Sequence, residues 1–209
     1  KSSSPLKWKG FWAKWTLEKY MDFPYKELPY KKNSLWKGYF QSEKYFIDQK
    51  DKIKDLFSPR LEDISYIKKK YGDMLEKECV SMHIRRGDYA EQEDLHPILP
   101  LSYYKQAMES LRKYKCILVF SDDIEWCKEN LNKFPDYKLM KFISDIDYLE
   151  LYLMSMCKTN IIANSSFSWW AAWLNSYPKK IVIAPKIWFG KKLSHLDTID
   201  LIPKDWKTI

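Results

Sequence analysis

Short apolar runs alternate with amphipathic stretches along the chain from about residue 79 onward. The apolar runs are typical of buried strands, and they predict strands at residues 79–84, 116–120, 139–143, 160–163 and 181–184. The stretches between them have helical spacing and predict helices at residues 102–113, 124–131, 145–157 and 166–175. Strand alternating with helix predicts a doubly wound parallel α/β sheet, which binds its ligands beyond the carboxyl ends of the strands.

The first 78 residues have a different character. They are rich in Trp, Tyr and Lys, contain several prolines and show no clear strand alternation. Helices are predicted at residues 42–57 and 61–71, and Gly72 is a plausible helix stop. We therefore expect a mostly helical portion over residues 1–78, followed by a separate sheet domain over residues 79–209.

Composition and charge narrow the class of protein. Hydrophobic residues make up 45% of the 209 residues, enough for a core, and no apolar run approaches the roughly 18 residues of a membrane span, so no membrane association is expected. The net charge of +8 comes from lysines spread along the chain among acidic residues, which indicates a solvated surface and not a nucleic-acid interface. The four cysteines are far apart and are expected to be buried, reduced thiols.

Two of the chain's four arginines, Arg85 and Arg86, stand side by side directly after the first of these strands. A guanidinium offers a planar fork for bidentate contacts to an oxyanion, which lysine does not. Gly87 lets the chain turn away, and Asp88 is placed to orient one arginine. These residues predict an electropositive pocket for a diphosphate. The alternative is an Arg–Asp surface pair at a turn, which stabilises little.

Acidic residues follow the next strand, where Ser121 precedes Asp122 and Asp123. A carboxylate there can accept hydrogen bonds from the N1–H and the exocyclic amine of guanine. Ser and Asp are also ordinary N-caps for the helix that follows, so one acid is free to cap while the other binds. The pair Asp145 and Asp147 has the spacing of a metal-binding DxD but is more simply the acidic first turn of a helix, and no metal site is predicted.

A third junction leads into the last predicted helix through Asn164, Ser165, Ser166 and Phe167. Serine hydroxyls and free backbone N–H groups at a helix N-terminus favour a phosphate. The alternative is a capped, buried helix without a ligand. The arginine pair at the first junction argues against this alternative.

Five blocks of the sequence, at residues 38–46, 83–88, 120–123, 162–174 and 184–189, resemble segments of the alpha-1,2-fucosyltransferases, enzymes that use GDP-fucose. Residues 83–88 (HIRRGD) match the HxRRxD signature, and residues 162–174 (IANSSFSWWAAWL) are similar to a second block of that family. Three shorter segments fit the same family in the same order, namely residues 38–46 (GYFQSEKYF), 120–123 (FSDD) and 184–189 (APKIWF). The resemblance covers about residues 36–190, with Ala171 standing where the family often has Gly.

The resemblance implies an inverting glycosyltransferase of GT-B architecture that needs no cofactor and no metal. Its C-terminal Rossmann-like domain, here residues 79–209, is expected to hold GDP-fucose, and L-fucose is transferred to a glycan hydroxyl, the 2-OH of a galactose-terminated acceptor. The implied catalytic residues are Arg85, Asp88 and His83, of which Asp88 and His83 are candidates for the general base. The implied donor-binding residues are Arg85, Arg86, Ser121, Asp122, Asn164, Ser165, Ser166 and Phe167.

The chain departs from that family in its first part. Members usually begin with a Gly-rich GGxGNQ-type segment, and none precedes residue 36, so residues 1–78 are expected to be an incomplete acceptor-side domain. The alternatives are a non-catalytic GDP-sugar or glycan-binding module, a nucleic-acid binder that relies on its lysines, and a transferase for another nucleotide sugar. Trp8, Trp12 and Trp15 are interpreted as core or as a packing surface, and not as an acceptor platform. The compartment follows the source: the cytoplasm for a bacterial or viral chain, the Golgi lumen for a truncated eukaryotic one.

Overall fold

The computed structural model of the chain describes residues 16–20 and 24–209. Its strands are β1 (Thr16–Tyr20), β2 (Ser34–Gly38), β3 (Cys79–Ile84), β4 (Cys116–Ser121), β5 (Met140–Phe142), β6 (Thr159–Ile161), β7 (Ile181–Ala184) and β8 (Lys207–Thr208). Its α-helices are α1 (Lys50–Leu56), α2 (Leu61–Leu75), α3 (Leu101–Glu109), α4 (Ile124–Leu131), α5 (Asp147–Ser155) and α6 (Ser166–Leu174). Trp8, Trp12 and Trp15 lie outside the described residues.

Six strands form one parallel sheet in the order β5-β4-β3-β6-β7-β8. The chain starts at the central β3, winds outward through β4 and β5, and then returns to the other side of β3 with β6. This is the strand order of a Rossmann fold, and its switch point lies between β3 and β6. The predicted α/β fold class, with a Rossmann-like doubly wound parallel sheet, is confirmed.

Hydrophobic layers cover both faces of the sheet because successive side chains of a strand point to opposite faces. Val80, Met82 and Ile84 of β3 pack with α3 and α4 on one face. Cys79 packs with α2 and α5 on the other, where α6 adds a cluster of tryptophans. The four cysteines are free, buried thiols, as expected. None of the helices in residues 16–20 and 24–209 is long and apolar enough to cross a membrane.

The part before β3 contains two strands that the sequence pattern does not reveal. β1 and β2 pair in parallel as a small separate sheet. Exposure alternates along both strands, but the exposed positions include Leu17 and Leu35, which are paired and more than half exposed, so no alternation of apolar and polar residues marks these strands in the sequence. The helix predicted at residues 42–57 is instead two short 3-10 turns followed by α1.

Element boundaries elsewhere are close to the predicted ones. β3, β7 and α4 occupy the predicted residues, and the others differ at their ends by a few residues. Gly72 does not stop α2, which continues to Leu75. One glycine inside a helix costs about 1 kcal/mol relative to alanine, and the burial of Ile67 and Tyr71 on the same helix outweighs that cost. The two-residue edge strand β8 was not predicted, because Lys207 and Thr208 are polar and exposed.

Candidate active site

The three predicted junctions meet at the carboxyl edge of the sheet. They follow β4, β3 and β6, which are neighbours in the sheet. A carboxylate after β4 contacts the arginines after β3, and Tyr89, in the loop after β3, donates a hydrogen bond to the main-chain oxygen of Asn164 after β6 at 3.0 Å. The site therefore spans the switch point of the sheet, where doubly wound folds bind ligands.

Arg85 is held by acidic side chains on two sides. One of its terminal nitrogens, Nη2, lies 2.6 Å from Oδ1 of Asp88, and Nη1 lies 3.0 Å from Oδ2 of Asp122. The guanidinium also lies over the ring of Tyr89, 5.4 Å from its centroid. A third of the side chain stays exposed. The group is thus fixed in orientation, while its remaining N–H groups stay accessible to an anion.

Arg86 points toward α4. Its Nε lies 3.2 Å from Oδ2 of Asp123, and its guanidinium lies over the ring of Trp126 at 3.7 Å from the centroid. Asp123 also caps α4 by accepting a hydrogen bond from the backbone N–H of Trp126. Of the two acids after β4, Asp123 is therefore the helix cap. Arg86 is the second cation at this edge of the sheet.

Asp122 orders the turn that carries both arginines. In addition to its ion pair with Arg85, its Oδ1 accepts a hydrogen bond from the backbone N–H of Arg86 at 2.9 Å. A Cβ atom added to Gly87 would collide with this carboxylate, so only glycine allows the close approach. Ser121 also serves the local turn, because its Oγ accepts a hydrogen bond from the N–H of Asp123.

His83 lies beneath the cleft and not in it. Its side chain is buried, and its ring centroid is 5.7 Å from that of Phe167 on α6. Nδ1 has no hydrogen-bond partner among the described residues. Burial, reinforced by the nearby positive charge of Arg85, lowers the pKa of His83 to about 3. The imidazole is therefore neutral at ordinary pH. Its burial separates it from a substrate hydroxyl, whereas the carboxylate of Asp88 is exposed, so of the two candidates for general base only Asp88 is accessible.

Asn164 joins two loops at the switch point. Its side-chain amide nitrogen donates to the main-chain oxygens of Pro97 and Trp188, at 3.0 and 3.1 Å. Its Oδ1 is buried without a partner in the described part of the chain. A buried amide oxygen left unpaired is unfavourable, so this atom is suited to accept a hydrogen bond from a bound ligand.

The N-terminus of α6 opens into the same cleft. Its N-cap, Ser165, makes no side-chain capping bond to the helix amides within the described residues, and Ser166 is exposed. The first N–H groups of a helix lack partners within the helix and carry a partial positive charge, so they favour an anion. Phe167 is half-buried and packs toward the core that includes α5.

Some functional residues were not predicted. Tyr89 follows the HIRRGD block directly, so its position beside the arginines could have been inferred. Trp126 is only three residues after Asp123, but nothing in the sequence indicates that its ring lies against Arg86. Pro97 gives no signal either, because its contact with Asn164 joins residues 67 positions apart. No group of three or more His, Cys, Asp or Glu side chains in residues 16–20 and 24–209 is arranged to hold a metal ion.

The arrangement is suited to a ligand with a diphosphate. Two guanidiniums and an uncapped helix N-terminus supply positive charge and N–H donors at neighbouring strand ends. Charge that develops on a leaving phosphate is stabilised most by donors that are already oriented before the reaction. The carboxylate of Asp88 lies beside them and is exposed, so it can accept a proton from a second substrate.

Comparisons with known proteins give relatives that act on sugars. The chain is 39% identical over 181 residues to an alpha-1,2-colitosyltransferase of Escherichia coli, an alignment that covers 82% of this chain and 61% of the relative. It is 30% identical over 149 residues to a galactoside 2-alpha-L-fucosyltransferase of Caenorhabditis elegans, covering 66% of this chain and 41% of the relative. The chain thus spans less than two thirds of the length of these relatives.

Among solved structures, the chain matches the NodZ alpha-1,6-fucosyltransferase of Bradyrhizobium, soaked with GDP-fucose. The match has a TM-score of 0.39 at 14% identity and covers 63% of this chain and 59% of NodZ. The family model described as glycosyl transferase family 11 matches residues 6–209, nearly the whole sequence. The chain belongs to glycosyl transferase family 11.

Proposed function

We propose that the protein transfers L-fucose from GDP-fucose to the 2-hydroxyl of a galactoside, with inversion and without a metal ion. The observation that carries the proposal is the placement of Arg85, oriented by two carboxylates, at the same sheet edge as the uncapped N-terminus of α6. Family membership supports sugar transfer, and the names of the two relatives describe alpha-1,2 and 2-alpha linkages.

The proposed reaction assigns a step to each group. Asp88 accepts the proton of the acceptor hydroxyl, whose oxygen forms a bond to the anomeric carbon of fucose from the face opposite the diphosphate. The bond between that carbon and the phosphate oxygen breaks, and GDP leaves with the electron pair. Arg85, Arg86 and the α6 amides stabilise the charge on GDP. Each of these donors lowers the activation barrier by about 3 kcal/mol.

Asp122 has two candidate roles: it orders the turn that carries the arginines, and it reads the guanine base. Both of its oxygens already contact the arginine turn, although a carboxylate oxygen can accept a second hydrogen bond. Titration of an Asp122→Asn variant with GDP, ADP and inorganic pyrophosphate separates the two roles. If Asp122 reads guanine, only GDP binding weakens and the preference over ADP is lost. If it orders the turn, GDP and pyrophosphate binding weaken by the same factor.

The test of the function is calorimetric titration with GDP, GDP-fucose and ADP, in EDTA and again with magnesium, followed by assay against a galactoside. We expect guanine-selective binding that is the same with and without metal. Arg85→Lys keeps the charge but loses the fork, so GDP binding should weaken about tenfold to hundredfold. Arg112→Lys, at an exposed arginine near the opposite edge of the sheet, is the matched control. Unchanged GDP binding and turnover in Arg85→Lys would refute the assignment.

A second donor sugar has a specific observation in its favour. The alignment with the alpha-1,2-colitosyltransferase covers more of this chain than that with the fucosyltransferase of C. elegans, at higher identity. Competition between nucleotide-linked fucose and nucleotide-linked colitose in the same assay distinguishes the two donors. The preferred donor is the one with the higher kcat/KM.

A further inference from the structure

An aromatic cavity of about 270 Å³ lies next to the N-terminus of α6, and none of the roles described above uses it. Ser166 forms one edge of the cavity, and the rest of its wall is largely aromatic. The lining residues used here are Phe40, Gln41, Phe46, Ser166, Trp170 and Trp188. Its volume is slightly below the roughly 300–1,000 Å³ of pockets for drug-sized ligands, so it suits one sugar ring better than a disaccharide.

The walls of the cavity are already fixed without a ligand. Phe46 stacks on Trp170 with ring centroids 5.3 Å apart and an angle of 19° between the planes. Trp169, another lining residue, donates its indole N–H to the main-chain oxygen of Leu201 at 2.9 Å. Trp188 is held through its main-chain oxygen by Asn164. A pocket with a preformed shape loses little conformational entropy when a ligand enters.

Gln41 brings a side-chain amide to this pocket, whose lining also includes the polar residues Ser42 and Ser166. It lies at the centre of a tight turn in which the N–H of Ser42 donates to the main-chain oxygen of Phe40 at 2.9 Å. Phe40 has a φ of 48°, a left-handed conformation that is uncommon for a bulky residue and is found in tight turns and at functional sites. The side-chain amide of Gln41 makes no hydrogen bond to any described residue. It is therefore free to donate to one ligand hydroxyl and accept from another.

The cavity lies at the same carboxyl edge of the sheet as the other sites, next to the last of them. The acids follow β4, the arginines follow β3, the phosphate-type site follows β6, and Trp188 follows β7, the next strand. Ser166 belongs to both the α6 N-terminus and the cavity. A sugar that reacts at a phosphate bound to α6 must therefore lie at or beside this cavity.

We propose that the aromatic cavity binds a single pyranose ring, with Gln41 hydrogen-bonded to its hydroxyls and the rings of Trp170 and Phe46 contacting an apolar face of the sugar. A pyranose combines C–H faces, which are stabilised by burial against aromatic rings, with hydroxyls at its rim that need hydrogen-bond partners. Which sugar occupies the cavity, the donor's glycosyl group or the acceptor's terminal residue, rests on the proposed function.

The first experiment measures sugar binding directly, so it does not depend on the nucleotide site. Saturation-transfer NMR with free L-fucose and with methyl β-D-galactoside, on the full chain, detects weak binding of either ring. Gln41→Ala and Gln41→Glu should weaken the sugar that occupies the cavity about fivefold to tenfold, the loss of one to two hydrogen bonds. Gln106→Ala, at an exposed glutamine on α3, is the control and should change nothing. Circular dichroism shows whether each variant is folded.

The second experiment compares affinities for GDP and GDP-fucose in the same variants. Weaker GDP-fucose binding with unchanged GDP binding places the donor sugar in the cavity. Weaker galactoside binding with unchanged GDP-fucose binding places the acceptor there. Two outcomes would show that the cavity is not a sugar site. In the first, folded Gln41 variants bind both free sugars and GDP-fucose as the wild type does. In the second, the wild type binds neither free sugar and binds GDP-fucose no more tightly than GDP. If the wild type does not bind GDP, the proposed function is contradicted. Binding of a free sugar that depends on Gln41 would still support the sugar site in that case.

Discussion

A buried cluster of polar side chains in the sheet gives a prediction of stability. The side chain of Asn160, on β6, is 1% exposed. Its amide nitrogen donates to Oγ of Ser81 and to the main-chain oxygen of Met154, both at 2.7 Å, and its oxygen accepts a hydrogen bond from Nδ2 of Asn175 at 2.8 Å. One side chain therefore joins β3, β6 and the ends of α5 and α6.

Replacing Asn160 by alanine removes all three hydrogen bonds at once. Each contributes about 1 kcal/mol, so the free energy of unfolding should fall by about 3 kcal/mol. The midpoint temperature of a chain of this size should fall by about 6–12 °C. Asn175→Ala should cost a similar amount, because Asn175 also donates to the main-chain oxygen of Cys157 and accepts from the N–H of Tyr177. Since the two side chains share one hydrogen bond, the double variant should cost about 1 kcal/mol less than the sum.

Urea unfolding followed by tryptophan fluorescence and by circular dichroism measures these values, and agreement of the two probes tests for a two-state transition. Asn132→Ala, at an exposed residue at the end of α4, is the matched control and should change stability by less than about 0.5 kcal/mol. A loss below about 1 kcal/mol for Asn160→Ala would refute the reasoning that these hydrogen bonds hold the elements together.

Two glycines and one buried acid give further predictions. Gly87→Ala should displace Asp122, because the new Cβ would occupy the place of the carboxylate, and titration should show GDP binding weakened about tenfold. At Gly72 a new Cβ meets no atom, so Gly72→Ala should raise the free energy of unfolding by about 1 kcal/mol. Burial acts to raise the pKa of Asp145, but hydrogen bonds from Lys70 and neighbouring tyrosines lower it to about 2. Because this pKa is depressed in the folded state, its stabilisation should be lost as the pH falls from about 4 to about 2, and Asp145→Asn should show a smaller loss in acid unfolding. Equal acid sensitivity of the two proteins, or unchanged GDP binding in Gly87→Ala, would contradict these expectations.

The sheet domain was predictable because its strands are buried on both faces. An apolar run such as residues 79–84 has no competing interpretation as an amphipathic helix of the same length, and Asp123 marks the start of α4. The paired strands β1 and β2 were not predictable, since their outward residues include exposed leucines and their pairing is set by contacts beyond the local sequence.

The candidate site was predictable at the level of strand ends but not of contacts. Parallel strands bring their carboxyl ends to one edge, so residues after β3, β4 and β6 had to be neighbours. Which acid pairs with which arginine depends on side-chain positions that no spacing encodes. The aromatic cavity was also beyond prediction, because Gln41 and Trp188 are far apart in the sequence and meet only when the segment after β2 packs on α6.

The position of α6 connects the stability of the fold to the chemistry of the site. At its C-terminal end, Nζ of Lys180 donates to the main-chain oxygens of Ala172 and Asn175, at 2.7 and 3.0 Å, where a cation also interacts favourably with the helix dipole. The side chain of Asn175 fastens the same end to Asn160 and to the main-chain oxygen of Cys157. The helix is thus anchored at the end away from the cleft, while its free amides face the cleft. Donors fixed in this way need no reorganisation when charge develops on a leaving phosphate, so the contacts at the C-terminal end support the electrostatic role proposed for the N-terminal one.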